Sequence, residues 1–430
     1  MKKFLKAEMW DKMQYLFRNY YDRTMHAVYF YDGTIDEEAL KKVYDAILKK
    51  IPVLHSTFHN NFIRPYWTVN EDYTSADYFE LVETDDVWGY LDKFLGTEIC
   101  AQGKVQFRVK LIRANGKDVL ATVCNHMCFD GPDLKYFNSK VAETYTEYKK
   151  SGKLAPDIKS GTRSAEQVYS AMNEEDYKHA KSLYKNVSTV ENKHTFPFAE
   201  NDGTERSRLV LRKLDKASFL AMKARGKAQG ATINDIILAA YFRALFKATK
   251  AESPLTVPCM YDLRKYIGGS TAGLTNLIGF MPCTLSPDYG KDMEETVEKV
   301  KEALLPAKND RFTGLYSLPL LKLAYTIFPH CISEIAIGLG YTNPYIGMSN
   351  IGIIKPEECA FDGMLPSDAF YSGAIKFKPY MQLAFTTFMN EITFTIGIRG
   401  NDKDAKIFYD FIGDVIAEIK AYADSPLTVR

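Results

Sequence analysis

The chain has 430 residues, 46% of them hydrophobic and 25% charged, which is ordinary globular composition with room for about two to three domains. Its 55 Lys and Arg nearly cancel its 54 Asp and Glu, leaving a net charge of +1, so nothing in the balance points to nucleic acid or another polyanionic partner. The start, Met1-Lys2-Lys3-Phe4-Leu5-Lys6, lacks the apolar core and cleavage site of a signal peptide. No apolar run reaches the ~20 residues of a spanning helix, so no transmembrane segment is expected. The nearest approach, Leu320 to Gly340, is interrupted by Lys322, Pro329, His330 and Glu334 and reads as a buried amphipathic helix in preference to a membrane-surface one. The seven cysteines are odd in number and form no CxxC pair, which suits reduced thiols in the cytoplasm.

In chain order, His26-Ala27-Val28-Tyr29-Phe30-Tyr31 reads as a strand closed by the turn signal Asp32-Gly33. Leu40, Val43, Tyr44 and Ile47 then recur at i, i+3, i+4 and i+7, one face of a helix. Ile51-Pro52-Val53-Leu54 leads into a second extended segment. Phe107 to Ile112 and Val119 to Val123, separated by Asn115-Gly116, predict a β-hairpin. The second strand runs into Cys124-Asn125-His126-Met127-Cys128-Phe129-Asp130-Gly131. Beyond it Leu134, Phe137, Val141, Tyr145 and Tyr148 carry helical spacing. From Lys149 to about Ser207 the sequence turns polar and reads as a crossover, with Arg163 to Tyr184 as one helix.

The second half opens on a strand at Leu209-Val210-Leu211 and a long helix from Ala231-Thr232-Ile233-Asn234-Asp235, N-capped by Thr232. Strands are predicted at Leu255 to Met260, Ile278 to Leu285, Tyr345 to Ile351, Gln382 to Phe388 and Ile392 to Ile398. The last two are joined by a hairpin at Asn390-Glu391, and a final helix carries Phe408, Phe411, Ile412, Val415, Ile416 and Ile419. Nucleotide-binding glycine loops and a G-x-S-x-G elbow are missing from the sequence.

His126 thus sits between a strand end and a helix start. Alone, the motif reads first as a turn histidine followed by ordinary Asp-Gly turn chemistry. Cys124, His126 and Cys128 alternate and are all plausible zinc ligands, but a structural site wants a fourth. A cysteine nucleophile would want an orienting third group, so buried, inert thiols are the simpler reading. The functional reading is a general base for acyl transfer, since a neutral imidazole takes a proton from an acceptor as the new bond forms.

Five ordered segments resemble the condensation-domain and chloramphenicol-acetyltransferase-like acyltransferases, with this chain a stand-alone member similar to alcohol O-acyltransferases. They are Gly33-Thr34-Ile35-Asp36-Glu37-Glu38-Ala39-Leu40 leading to Ile51-Pro52-Val53-Leu54-His55-Ser56-Thr57-Phe58; the H-x-x-x-D-G segment from His126 to Gly131; Ala231 to Ala240; Asp262-Leu263-Arg264 with Asn276 to Pro282; and Met348-Ser349-Asn350-Ile351-Gly352. Asn125 stands where many relatives carry a first histidine, which makes peptide condensation a weaker expectation. The Asp-Phe-Gly-Trp-Gly signature of the plant BAHD branch is absent.

The resemblance implies a mixed α/β fold of two chloramphenicol acetyltransferase-like lobes, residues 1–160 and 205–430, joined by a polar crossover at 161–204, with a channel between them. It implies His126 as catalytic base without a covalent acyl-enzyme. It also implies an Asp130–Arg264 pair and Gly131 as support, and Ser349 or Asn350 as oxyanion or substrate contacts. No metal and no tightly bound cofactor are expected. Acyl-coenzyme A or acyl-phosphopantetheine serves as co-substrate, and a small hydroxyl or amine acceptor and an acyl carrier protein are the expected partners. The alternatives are peptide-type condensation on a carrier protein and a non-catalytic binding module of the same fold.

Overall fold

Alternating apolar residues build the hairpin first. Phe107–Ala114 and Lys117–Asn125 pair antiparallel around Asn115 and Gly116, whose φ values of 50° and 74° give the tight turn whose twist matches the strands. The computed structural model describes residues 3–185, 194–269 and 273–425; part of the polar crossover, 186–193, lies outside them.

The hairpin sits in a five-stranded sheet ordered Pro366–Ser372, Thr24–Tyr31, Lys117–Asn125, Phe107–Ala114 and Phe79–Glu83. Two helices cover one face of it, and Val87–Leu95 packs on the other. Glu37–Leu48, capped by Asp36, buries Leu40, Val43, Tyr44 and Ile47 as the spacing predicts, each such burial worth about 1.5–3 kcal/mol. Gly131–Ser151 buries Leu134, Phe137, Val141 and Tyr145. The outer strand Pro366–Ser372 comes from the second half of the chain and pairs with Thr24–Tyr31 from Tyr31↔Pro366 to His26↔Ser372.

The second half builds a seven-stranded mixed sheet that includes Leu255–Asp262, Ile278–Leu285, Ile346–Ile354, Met381–Phe388 and Glu391–Gly400. Against it pack Ile233–Thr249 and Asp402–Asp424. Thr232 caps the former reciprocally: its hydroxyl accepts from Asp235 N, and the Asp235 carboxylate accepts from Thr232 N. Such a cap is worth about 1 kcal/mol. The chain is therefore a mixed α/β protein with a sheet-centred core in each half.

Local expectations differ from the structure at four places. Pro52–His55 forms a 3-10 turn before the strand Ser56–His59, because Pro52 removes a strand donor. Arg163 to Tyr184 is broken into Glu166–Ser170 and Glu174–Lys181, the second recapped by Asn173. The last hairpin turns on Met389 and Asn390, with φ of 47° and 65°, and Glu391 already lies in the strand. Leu320 to Gly340 lies in two helices, Leu318–Ile327 and His330–Gly340, separated at Phe328-Pro329, since a residue before proline leaves the helical region. These helices are apolar on both faces. Leu318, Leu321, Ala324 and Ile337 line an internal pocket, while Ile327, Ile335 and Leu339 are 60%, 65% and 85% exposed. Among the described residues no helix is long and apolar enough to cross a membrane.

Candidate active site

His126 follows directly on the strand Lys117–Asn125, and helix Gly131–Ser151 begins five residues later. The short loop between them is held from every side. His126 N donates to Arg23 O at 2.7 Å, and Cys128 N to Asn125 O at 2.9 Å. The buried Asn125 side chain donates to Gln106 Oε1 and accepts from Met127 N, at 2.7 and 3.0 Å. The residue at the first-histidine position is thus a brace of the loop. Asn276 donates to the His126 carbonyl at 2.8 Å. Arg163 donates to the carbonyls of Met127 and Cys128 and forms a bidentate pair with Asp11 at 2.7 and 2.9 Å.

Asp130 caps the following helix, its Oδ1 accepting from Asp133 N. It also accepts two hydrogen bonds from Arg264, at 2.9 and 3.0 Å, and one from Leu277 N at 2.8 Å. Arg264 reaches Asp133 at 2.8 Å and Asp262 at 3.1 Å as well. Burial, followed by the nearby Asp130 charge, pushes the Asp133 carboxyl up. With both carboxylate oxygens of Asp130 occupied, this aspartate ties the loop to the second half of the chain and is not spent on orienting the imidazole.

Gly131 has no left-handed backbone; it is the first residue of its helix. What the missing side chain supplies is room, since a Cβ there would stand 3.2 Å from an Ile351 methyl group. Gly131 therefore supports the site through close approach alone, with no special backbone conformation.

His126 lines a cavity of about 170 Å³ whose walls come from both halves of the chain, among them Trp10, Tyr21, Met25, Ile278, Phe280 and Ser349. The His126 pKa lies below the usual 6.5, chiefly through burial and further through Lys376. Its own backbone carbonyl, Asp130 and Asn276 act in the opposite sense. Nδ1 is buried without a hydrogen-bond partner. Ser349 and Asn350 both line the cavity, but Asn350 is engaged: its amide donates to Asn234 and its carbonyl accepts from Gly352 N, both at 2.8 Å. The Asn350 side chain thus serves the irregular segment between Asn350 and Gly352.

Cys124 and Cys128 are fully buried in the core beneath the five-stranded sheet, and burial raises both thiols. That makes them poor nucleophiles. Among the described residues no three His, Cys, Asp or Glu side chains gather as a metal site.

Sequence reasoning missed Asn276, Arg163, Asp133 and Lys376 as members of this site. Asn276 lay within a segment already singled out; the others sit where neither periodicity nor a motif marks them. A second, apolar pocket of about 220 Å³ lies beside the first and shares Trp10, Phe17, Ile278, Phe280 and Tyr341 with it.

The family model for the condensation domain matches residues 10–323. No curated protein sequence matches the chain. Among solved structures, the chain is similar to polyketide synthase associated protein 5 from Mycobacterium tuberculosis, with TM-score 0.67, 14% identity and 99% of each chain covered. It is also similar to the first condensation domain of the CDA synthetase, with TM-score 0.68, 14% identity and 99% and 98% covered. The epimerization domain of the third module of tyrocidine synthetase B gives TM-score 0.68 at 11% identity, with 98% and 97% covered. At these identities the structural likeness speaks to the fold.

Proposed function

The chain belongs to the condensation-domain family, and within that family's acyl and peptidyl transfer chemistry we propose that it moves an acyl group from a thioester to a hydroxyl or amine acceptor, with His126 as general base. The observation that carries this reading is a half-buried imidazole, its pKa held below the usual 6.5, on a braced loop that opens into a cavity between the halves.

An alcohol or ammonium holds its proton too tightly to attack a carbonyl at neutral pH. With Nδ1 shut off in the protein, Nε2 is the edge that meets the acceptor. Burial keeps the ring unprotonated at neutral pH, so it takes the acceptor proton as the carbon–oxygen or carbon–nitrogen bond forms and returns it to the departing thiolate. Such a base contributes about 10²–10⁴-fold. Ser349, whose hydroxyl has no hydrogen-bond partner among the described residues and which lines the same cavity, is the better-placed oxyanion donor, a role worth roughly 3–4 kcal/mol. The thioester is that of coenzyme A or of a carrier-protein phosphopantetheine; carrier domains are the working partners of condensation domains, which supports the second source.

The test is release of free thiol from a panel of acyl-coenzyme A and acyl-carrier thioesters offered mixed alcohols and amines. Transfer should fall at least 100-fold in His126→Ala with an unchanged circular dichroism spectrum. It should also fall in the wild-type protein as pH drops through the imidazole pKa, below 6.5, because protonation removes the base. Near-normal turnover in His126→Ala would refute the assignment.

A further inference from the structure

The charged side chains lining the His126 cavity are Asp130, Asp262 and Lys376. Both aspartates are answered by Arg264. Lys376 is not answered by any acid. Among the described residues its ammonium forms no ion pair and no hydrogen bond, and it sits 3.6 Å from the centre of the Tyr21 ring. The acid whose charge acts on it is Asp22, 2% exposed, but its oxygens already accept: Oδ1 from Thr24 N and Ile375 N at 3.0 and 2.9 Å, and Oδ2 from the Thr24 hydroxyl at 2.6 Å. Burial drives the lysine down to about 7, against which Asp22 acts only in part. An amine held in an apolar wall with a ring face as its main neighbour is an incomplete pair.

We propose that Lys376 is the receptor for a carboxylate on the substrate, so that the transfer joins an acyl group to an acceptor of which one partner is acidic; this rests on the transfer reading above. A carboxylate entering the cavity supplies the missing counter-ion, and the desolvated, charge-assisted hydrogen bond is of the strong kind. One cation in a space of about 170 Å³ with walls such as Phe17, Met25, Ile278 and Phe280 suits a single negative charge. A phosphate or diphosphate would call for several donors or cations. The carboxylate reaches the site in one of two ways. It belongs to the acceptor, as in an amino or hydroxy acid, or to the acyl group, as in a dicarboxylic monothioester.

The experiment measures kcat/KM in two arms, using the intact chain. One arm pairs acetyl-coenzyme A with an amino or hydroxy acid and with its methyl ester; the other pairs a neutral acceptor with succinyl-coenzyme A and with butyryl-coenzyme A. Lys376→Met should cut the acidic-over-neutral preference about 10–100-fold in one arm, the loss of one hydrogen bond to a charged group, and Lys376→Arg should restore part of it. The arm that responds names the source. A preference that is the same in wild type and both variants, in both arms, overturns the proposal. Binding of butyrate, followed by calorimetry on wild type, His126→Ala and Lys376→Met, separates this proposal from the transfer reading. Butyrate bound by the first two and lost in the third supports the carboxylate site even where no thioester is turned over. Equal binding by all three, or none by the wild type, counts against it.

Discussion

Two parts of the His126 cavity wall treat charge in opposite ways. Around Arg264 every charge is answered: Asp130, Asp133 and Asp262 converge on one guanidinium, Leu277 N donates to Asp130, and Thr275 N donates to the same Asp133 oxygen that Arg264 reaches. Around Tyr21 one amine stands without an acid. The first arrangement gives every charge a partner from within the chain and holds the loop in place. The second is complete only when something arrives. Buried ions that are fully paired serve the architecture, whereas an unpaired one beside a cavity points to ligand.

The contrast breaks most visibly at Arg264. Replacing it with alanine strands three carboxylates, two of them buried, and should cost about 3–5 kcal/mol of stability. Calorimetry reads this as a lowered melting temperature together with lost transfer, and an unchanged melting temperature would remove the structural account. Asn276→Ala is milder. It leaves the His126 carbonyl without its donor, for about 1–3 kcal/mol, and loosens the loop that carries the ring. The signature is a kcat that falls more than KM rises, with a melting temperature closer to wild type than that of Arg264→Ala.

The smallest effect lies at the unanswered amine. Lys376 titrates near 7 in the folded chain against 10.5 as its ordinary value, so between these limits the unfolded chain binds more protons, and stability rises with pH. Of the titratable neighbours, His126 is held below 6.5 and so loses its proton below that window, Tyr21 is held well above 10, and burial raises Asp22 from its ordinary value. Urea unfolding at pH 7, 8 and 9 should therefore show an upward trend that Lys376→Met flattens. Parallel slopes in the two proteins would mean that the amine is ordinary.

Much of the frame was legible from short-range pattern. The strand into Asn125, the helix from Gly131, the Asn115-Gly116 turn and the Thr232 cap follow from spacing and turn chemistry that act over a few residues. The joining of Asp130 with Arg264 came from the family resemblance, since no local rule links positions so far apart. Lys376 and Arg163 stayed hidden because their meaning depends on distant groups: the Met127 and Cys128 carbonyls for Arg163, the Tyr21 ring and the cavity for Lys376. The pair of helices in Leu318–Gly340 misled for a different reason: an interrupted apolar run does not tell how many of its faces the rest of the chain covers. Pro366-Ser367-Asp368-Ala369-Phe370-Tyr371-Ser372 carried too little apolar alternation to announce itself as a strand.

That late strand has a consequence of its own. It donates the rail that closes the first sheet beside Thr24–Tyr31, so a chain cut within the polar crossover would leave that neighbour with a bare row of amides and carbonyls. Exposed edges of this kind recruit strands from other molecules. Severed halves would mispair or clump when made separately and would regain the sheet only by meeting each other, which makes the integrity of one continuous polypeptide a condition for keeping the imidazole loop in solution at all.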